Sequence, residues 1–241
     1  MTPDFLTAKP FAHRGLHGPL SGHVENSLSA FRAANDRGHG FELDVLLSQD
    51  GKAVVFHDVA LKRLTGQPGT IQNFTTDQLS RIKLSGSDDV ILTLKQTLEH
   101  SDRQFPVLIE IKGDQGQSDT IAQAVYQDIQ NYSGPVAVMS FYPDIVRWFQ
   151  KNAPDISRGL VATSIKDDDL PDEYFSPEQQ ISTLEDLAVD FIAYDIKALP
   201  NEVTEHCRTN EIPVLTWTVR TEKLRQKAVS HTDNIIYENL D

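Results

Sequence analysis

The chain has 241 residues, with 22 Lys+Arg against 35 Asp+Glu and a formal net charge of −13. Its 39% hydrophobic and 24% charged residues are those of an ordinary globular chain, which excludes the disordered and fibrous classes. The acidity argues against nucleic acid or an anionic membrane surface as a partner, because both are repelled on average.

In chain order, a short strand at 11–13 leads to a helix at 27–37, whose start is signalled by Asn26 or Ser27. Strands at 41–47 and 53–57 follow. Next comes a long polar stretch at 59–92, with little periodic apolar character beyond Leu79 and Ile82. From there strands and helices alternate: helix 94–101, strand 107–112, helix 119–130, strand 136–141, helix 144–152 and strand 158–162. The pattern continues through helix 183–188, strand 191–196, helix 201–209, strand 213–219, helix 221–229 and a last strand at 234–237. Alternation of this kind implies a parallel sheet with crossover helices, and about eight repeats in this length point to a (β/α)8 TIM barrel. The expected organisation is one catalytic domain over 1–241, with 59–92 as a small insertion after the second strand, on the rim that carries function.

The lone Cys207 allows no intramolecular disulfide, and Met1-Thr2-Pro3-Asp4-Phe5 carries neither a basic nor an apolar leader. No run approaches the roughly 18 apolar residues of a membrane span. A cytoplasmic protein without stable membrane association is the expectation.

Period-two geometry then selects the chemistry. In Phe41-Glu42-Leu43-Asp44-Val45 the apolar residues belong against outer helices, so Glu42 and Asp44 face the barrel interior. The same arithmetic turns Glu110 and Lys112 inward and Ile109 and Ile111 outward. Inward carboxylates are costly unless paired or metal-bound, and Glu42, Asp44 and Glu110 outnumber the nearby cations. An all-oxygen set suits one hard divalent cation, with Mg²⁺ favoured over Ca²⁺. Such a site, with Arg14 and Lys112 adding charge, would focus attraction for a phosphate ester on an otherwise negative protein. His13 and His57, each closing a strand candidate, can serve as acid and base. Taken singly, these residues also fit duller roles: structural ion pairing for Glu42 and Asp44, and a barrel salt bridge for Lys112 with Glu110.

The ordered set of short motifs resembles the glycerophosphodiester phosphodiesterase family. It comprises His13-Arg14-Gly15, Glu25-Asn26-Ser27, Glu42-Leu43-Asp44, Phe56-His57-Asp58, Leu61, Arg63, Glu110-Ile111-Lys112, Ser140-Phe141 and Trp217-Thr218-Val219. The resemblance implies metal-dependent hydrolysis of small glycerophosphodiesters to sn-glycerol 3-phosphate and an alcohol. It implies His13 and His57 as the acid–base pair, Glu42, Asp44 and Glu110 as metal ligands, and Arg14 and Lys112 as phosphate contacts. Phe141 and Trp217 then match aromatic positions near a glycerol pocket. Two positions depart from the usual pattern. Arg220 stands where Asn is usual, and Ile236-Tyr237-Glu238 stands where Ile-Thr-Asp is usual. Both are expected to bear on the alcohol accepted and to leave the metal and histidine chemistry untouched. The competing readings are a phospholipase D-type barrel acting on lysophospholipids and a silent barrel that binds a phosphorylated metabolite.

Overall fold

The predicted β-rich runs become nine strands in a computed structural model that describes residues 3–113, 116–166 and 170–240. They are β1 (Phe11–Ala12), β2 (Gly40–Leu47), β3 (Ala53–Val55), β4 (Val107–Ile111) and β5 (Val136–Ser140). After them come β6 (Ser157–Ala162), β7 (Phe191–Asp195), β8 (Val214–Val219) and β9 (Asn234–Tyr237). The sheet order is β1-β9-β8-β7-β6-β5-β4-β2-β3, and β1 pairs with β2 to close the ring. Eight parallel staves result, alternating with helices: a (β/α)8 barrel.

The strand expected at 53–57 is the exception. Its ordered part, β3, runs antiparallel to β2, with Val45 opposite Val55 and Leu47 opposite Ala53. Residues 48–52 between them form a tight turn, with Gly51 at φ 70°, far too short for a parallel crossover. β3 therefore lies outside the ring, and His57 reaches the mouth by way of this hairpin.

Side-chain alternation divides the core as the period-two reading requires. Phe41, Leu43, Val45, Ile109 and Ile111 pack outward with the helices, whereas Leu108, Met139, Val161, Phe191 and Leu215 fill the interior. Helix Phe5–Ala8, which the sequence pattern did not announce, closes the bottom. Its Leu6 is buried with the interior set, and Asn234 Nδ2 donates to the Leu6 and Lys9 carbonyls at 2.7 Å each. Ser27, not Asn26, caps helix Leu28–Asp36, its Oγ accepting from Ala30 N at 3.1 Å. The helix expected at 183–188 starts earlier, as Pro177–Leu187, because Ser176 caps it and Pro177 presets its first turn.

The polar stretch at 59–92 is less polar in effect than its sequence suggests. Leu61, Ile71, Leu79, Leu84 and Ile91 bury themselves against Leu46, Val54 and Phe56. This separate small core fixes the short helices Lys62–Thr65 and Thr76–Leu79 beside the barrel mouth. Among the described residues, no helix is long and apolar enough to cross a membrane.

Cys207 lies fully buried on helix Glu202–Thr209, and burial pushes its thiol up to about 12. The native protein should therefore be silent to a thiol-reactive dye at pH 8 and release one equivalent once denatured. Ready labelling of native protein would contradict the packing.

Candidate active site

The C-terminal ends of the staves bring the predicted polar residues together. Glu42 and Asp44 on β2 lie next to Glu110 on β4, with Asp44 in register with Glu110. One carboxylate oxygen from each lies within 4.8 Å of the others, and Glu42 and Asp44 are wholly buried. Glu42 Oε1 has no hydrogen-bond partner, while Oε2 accepts from Arg14 N at 2.9 Å. Burial, joined by repulsion from Asp44 and Glu110, raises the Glu42 carboxyl well above the usual carboxylate range. An unpartnered, buried oxygen in an all-carboxylate trio is what a hard cation would compensate.

The cations are already engaged. Lys112 Nζ lies 2.5 Å from Glu110 Oε1 and 2.9 Å from Asp44 Oδ1, so the barrel salt bridge is present. Arg14 NH1 donates to Glu25 Oε1 at 2.8 Å, and its Nε lies 3.3 Å from Asp44 Oδ2. Burial alone would raise the Asp44 carboxyl, but Lys112 and Arg14 outweigh it and hold the group well below its ordinary value.

Backbone strain accompanies this arrangement. Arg14 has φ 55° and Asn26 φ 54°, left-handed conformations that non-glycine residues seldom adopt. Gly15 follows at φ 78°, where a Cβ would meet the Ala30 carbonyl carbon at 2.8 Å. The strained turn aims the Arg14 N–H at Glu42, and Asn26 Nδ2 donates to Asp44 Oδ2 at 2.9 Å.

Each histidine rests on a carboxylate. His57 Nδ1 lies 2.7 Å from Asp58 Oδ1, and His13 Nδ1 lies 2.5 Å from Glu238 Oε1. An ionised carboxylate only accepts, so each imidazole carries its proton at Nδ1 and leaves Nε2 for other partners. His13 Nε2 is 3.9 Å from Glu42 Oε2, at the edge of the carboxylate trio. Burial, with help from Arg14, lowers the His13 pKa below its ordinary 6.5.

Behind His57 stands Arg63, carried by the short helix of the 59–92 segment. Its Nε and NH2 donate to Asp58 at 2.5 and 2.8 Å, and NH1 and NH2 donate to the Glu25 oxygens at 2.8 Å each. Burial pushes the Asp58 carboxyl up, but the Arg63 and His57 bonds bring it down to about 2. Arg63 thus ties His57 to Arg14 through two carboxylates. Phe141 and Trp217 meet edge to face, centroids 5.6 Å apart, above the apolar interior, and Trp217 Nε1 donates to Ala193 O at 2.9 Å.

All nine sequence-selected residues sit at this mouth. Sequence reasoning gave no role to the support around them. Glu25 and Asn26 read as a helix start, and Asp58 and Arg63 entered only within the resemblance. Glu238 was expected to leave the histidines untouched, yet it holds His13; its one signal was its departure from the usual pattern.

The sequence pattern described as "Glycerophosphoryl diester phosphodiesterase family" matches residues 13–240. A glycerophosphodiester phosphodiesterase of Caldanaerobacter subterraneus is 28% identical over 95% of this chain and 93% of its own length. A glycerophosphodiester phosphodiesterase structure from Thermotoga maritima superposes with a TM-score of 0.76 at 28% identity, covering 94% of this chain and 92% of that one. An Oleispira antarctica phosphodiesterase solved with its product sn-glycerol-3-phosphate superposes at 0.83 with 22% identity, covering 96% and 93%, and shares the fold.

Proposed function

The chain belongs to the glycerophosphoryl diester phosphodiesterase family, whose members are phosphoric diester hydrolases, and on that premise we propose that it hydrolyses small glycerophosphodiesters to sn-glycerol 3-phosphate and an alcohol. The observation that carries this is the buried carboxylate trio, with Glu42 Oε1 unpartnered, flanked by two histidines each held at Nδ1 by a carboxylate. Glu42, Asp44 and Glu110 would hold one divalent cation, Mg²⁺ rather than Ca²⁺, because few protein oxygens plus substrate and water complete an octahedron. When bound, the ion supplies positive charge against the phosphoryl oxygens. Arg14 and Lys112, freed from part of their pairing with Asp44 and Glu110, bind the same phosphate. One histidine takes a proton at Nε2 from the nucleophile, either water or the glycerol 2-hydroxyl whose cyclic phosphate water then opens, and the other, protonated at Nε2, gives its proton to the departing alcohol oxygen. Phe141 and Trp217 wall the glycerol side with apolar surface.

A second reading, action on lysophospholipids, is favoured by Leu20 and Val59, exposed at 73% and 59% on loops beside the mouth. The deciding experiment assays purified protein with Mg²⁺ or Ca²⁺ against glycerophosphocholine, glycerophosphoethanolamine, glycerophosphoglycerol and lysolipids. Turnover of the water-soluble diesters supports the first reading. Turnover confined to lysolipids supports the second, and none with any substrate leaves only a binding barrel.

The Arg63 bridge gives a sharper expectation. Arg63→Met should lower kcat/KM by about tenfold or more, since outer partners of this kind typically contribute 10- to 100-fold. The thermal midpoint should move by only a few degrees, because the Arg63 side chain is half-exposed. Unchanged kcat/KM would show that His57 and Arg14 need no common tether.

A further inference from the structure

The two positions at which the chain departs from the usual family pattern touch each other. Arg220 follows β8 and Glu238 follows β9, and Glu238 N donates to Val219 O at 3.0 Å, so the two strand ends lie side by side. Arg220 Nε donates to Glu238 Oε2 at 2.6 Å and NH2 donates to Oε1 at 3.0 Å, a bidentate fork. The same Oε1 lies 2.5 Å from His13 Nδ1.

We propose that Arg220 and Glu238 form one positioning unit that sets the tautomer and orientation of His13. The proposal rests on the reading of His13 as an acid–base group. Glutamate is one methylene longer than the aspartate usual at this position, and the extra torsion needs a second anchor to hold its carboxylate against an imidazole. The Arg220 guanidinium supplies that anchor; an asparagine there has one amide and no charge to do so. The fork also keeps Glu238 ionised. Burial works against the charge, but His13, His17 and Arg220 together hold the carboxyl far below its usual range. An ionised Glu238 accepts the Nδ1 proton and leaves Nε2 for the reaction. His17 Nε2 stands 3.8 Å from the same Oε1, longer than a hydrogen bond, so it adds to the pull on the carboxylate without fixing its orientation.

The His57 side shows the same order of groups, imidazole to Asp58 to Arg63, built from a different part of the chain. Two independent copies of a histidine–carboxylate–arginine chain at one site argue that the arginine belongs to the device. The half-exposed Arg220 spends both Nε and NH2 on the two oxygens of Glu238.

The test is a double-mutant cycle with Glu238→Gln, Arg220→Met and the pair, assayed with saturating Mg²⁺ beside His13→Ala. The ¹⁵N shifts of labelled histidine are read in the same proteins. Glu238→Gln should lower kcat about 10²-fold with KM within about twofold, and move the His13 proton away from Nδ1. Arg220→Met should lower kcat about tenfold alone and add nothing in the Glu238→Gln background. A Glu238→Gln enzyme with wild-type kcat and an unchanged His13 tautomer overturns the proposal. So does an Arg220→Met loss that persists in the double variant or falls on KM, which would make Arg220 a substrate contact. Full kcat in His13→Ala instead contradicts the role assigned to His13, and the tautomer shift then decides the positioning claim by itself.

Discussion

In excess chelator the protein should lose turnover of glycerophosphocholine by roughly 10³-fold or more, the equivalent of about 4 kcal/mol of transition-state stabilisation. The reason lies in how the mouth is charged. Glu42, Asp44 and Glu110 converge within 4.8 Å, while Arg14 and Lys112 are already drawn into pairs with Glu25, Asp44 and Glu110. A phosphodiester monoanion approaching these residues alone meets no uncompensated positive charge, on a protein of net charge −13. Glu110→Gln removes one carboxylate charge and should raise the Mg²⁺ concentration for half-activity by about tenfold or more. Calorimetry of Mg²⁺ binding to the same variant provides a readout separate from turnover. Full activity in chelator would remove the cation from the account.

His13→Ala and His57→Ala should each lower kcat by roughly 10²-fold or more, with Mg²⁺ affinity nearly unchanged. Neither imidazole belongs to the carboxylate trio. Each histidine is fixed by its own carboxylate, so removing one leaves the other in place, and the two losses have separate origins. Lys112→Ala should behave differently. It should raise KM and lower kcat together, since a phosphate charge is present in ground and transition states alike. Near-normal kcat in either histidine variant would break the acid–base assignment.

What was legible in the sequence is what local periodicity determines. Glu42, Asp44 and Glu110 were readable because a strand sends alternate residues to opposite faces, and apolar Phe41, Leu43, Val45, Ile109 and Ile111 claim the outer one. The barrel was readable because the same alternation recurs along the chain. β3 was legible as a strand from the composition of Ala53–Val55, but its antiparallel place outside the ring follows only from the brevity of the turn before it. The core of the 59–92 segment was missed because Leu61, Ile71, Leu79, Leu84 and Ile91 are spaced by turns and short helices rather than by any period. The support for the histidines was invisible for a different reason. His13 and Glu238 lie 225 positions apart and Arg63 lies 38 from Glu25. Asn26 occupies a helix-start motif whose neighbour does the capping while its own side chain holds Asp44. The His13–Glu238 contact follows from ring closure between β1 and β9, and the Arg63–Glu25 contact from the 59–92 segment folding beside the mouth, neither from local pattern.

A ³¹P NMR time course of wild-type protein with glycerophosphocholine and Mg²⁺ tests the central claim most directly, because it identifies which phosphorus–oxygen bond breaks. The account predicts that the diester resonance is replaced by that of sn-glycerol 3-phosphate, at a rate that falls by two orders of magnitude in His57→Ala. Appearance of phosphocholine instead, or an unchanged diester resonance with Mg²⁺ or Ca²⁺ present, would contradict it.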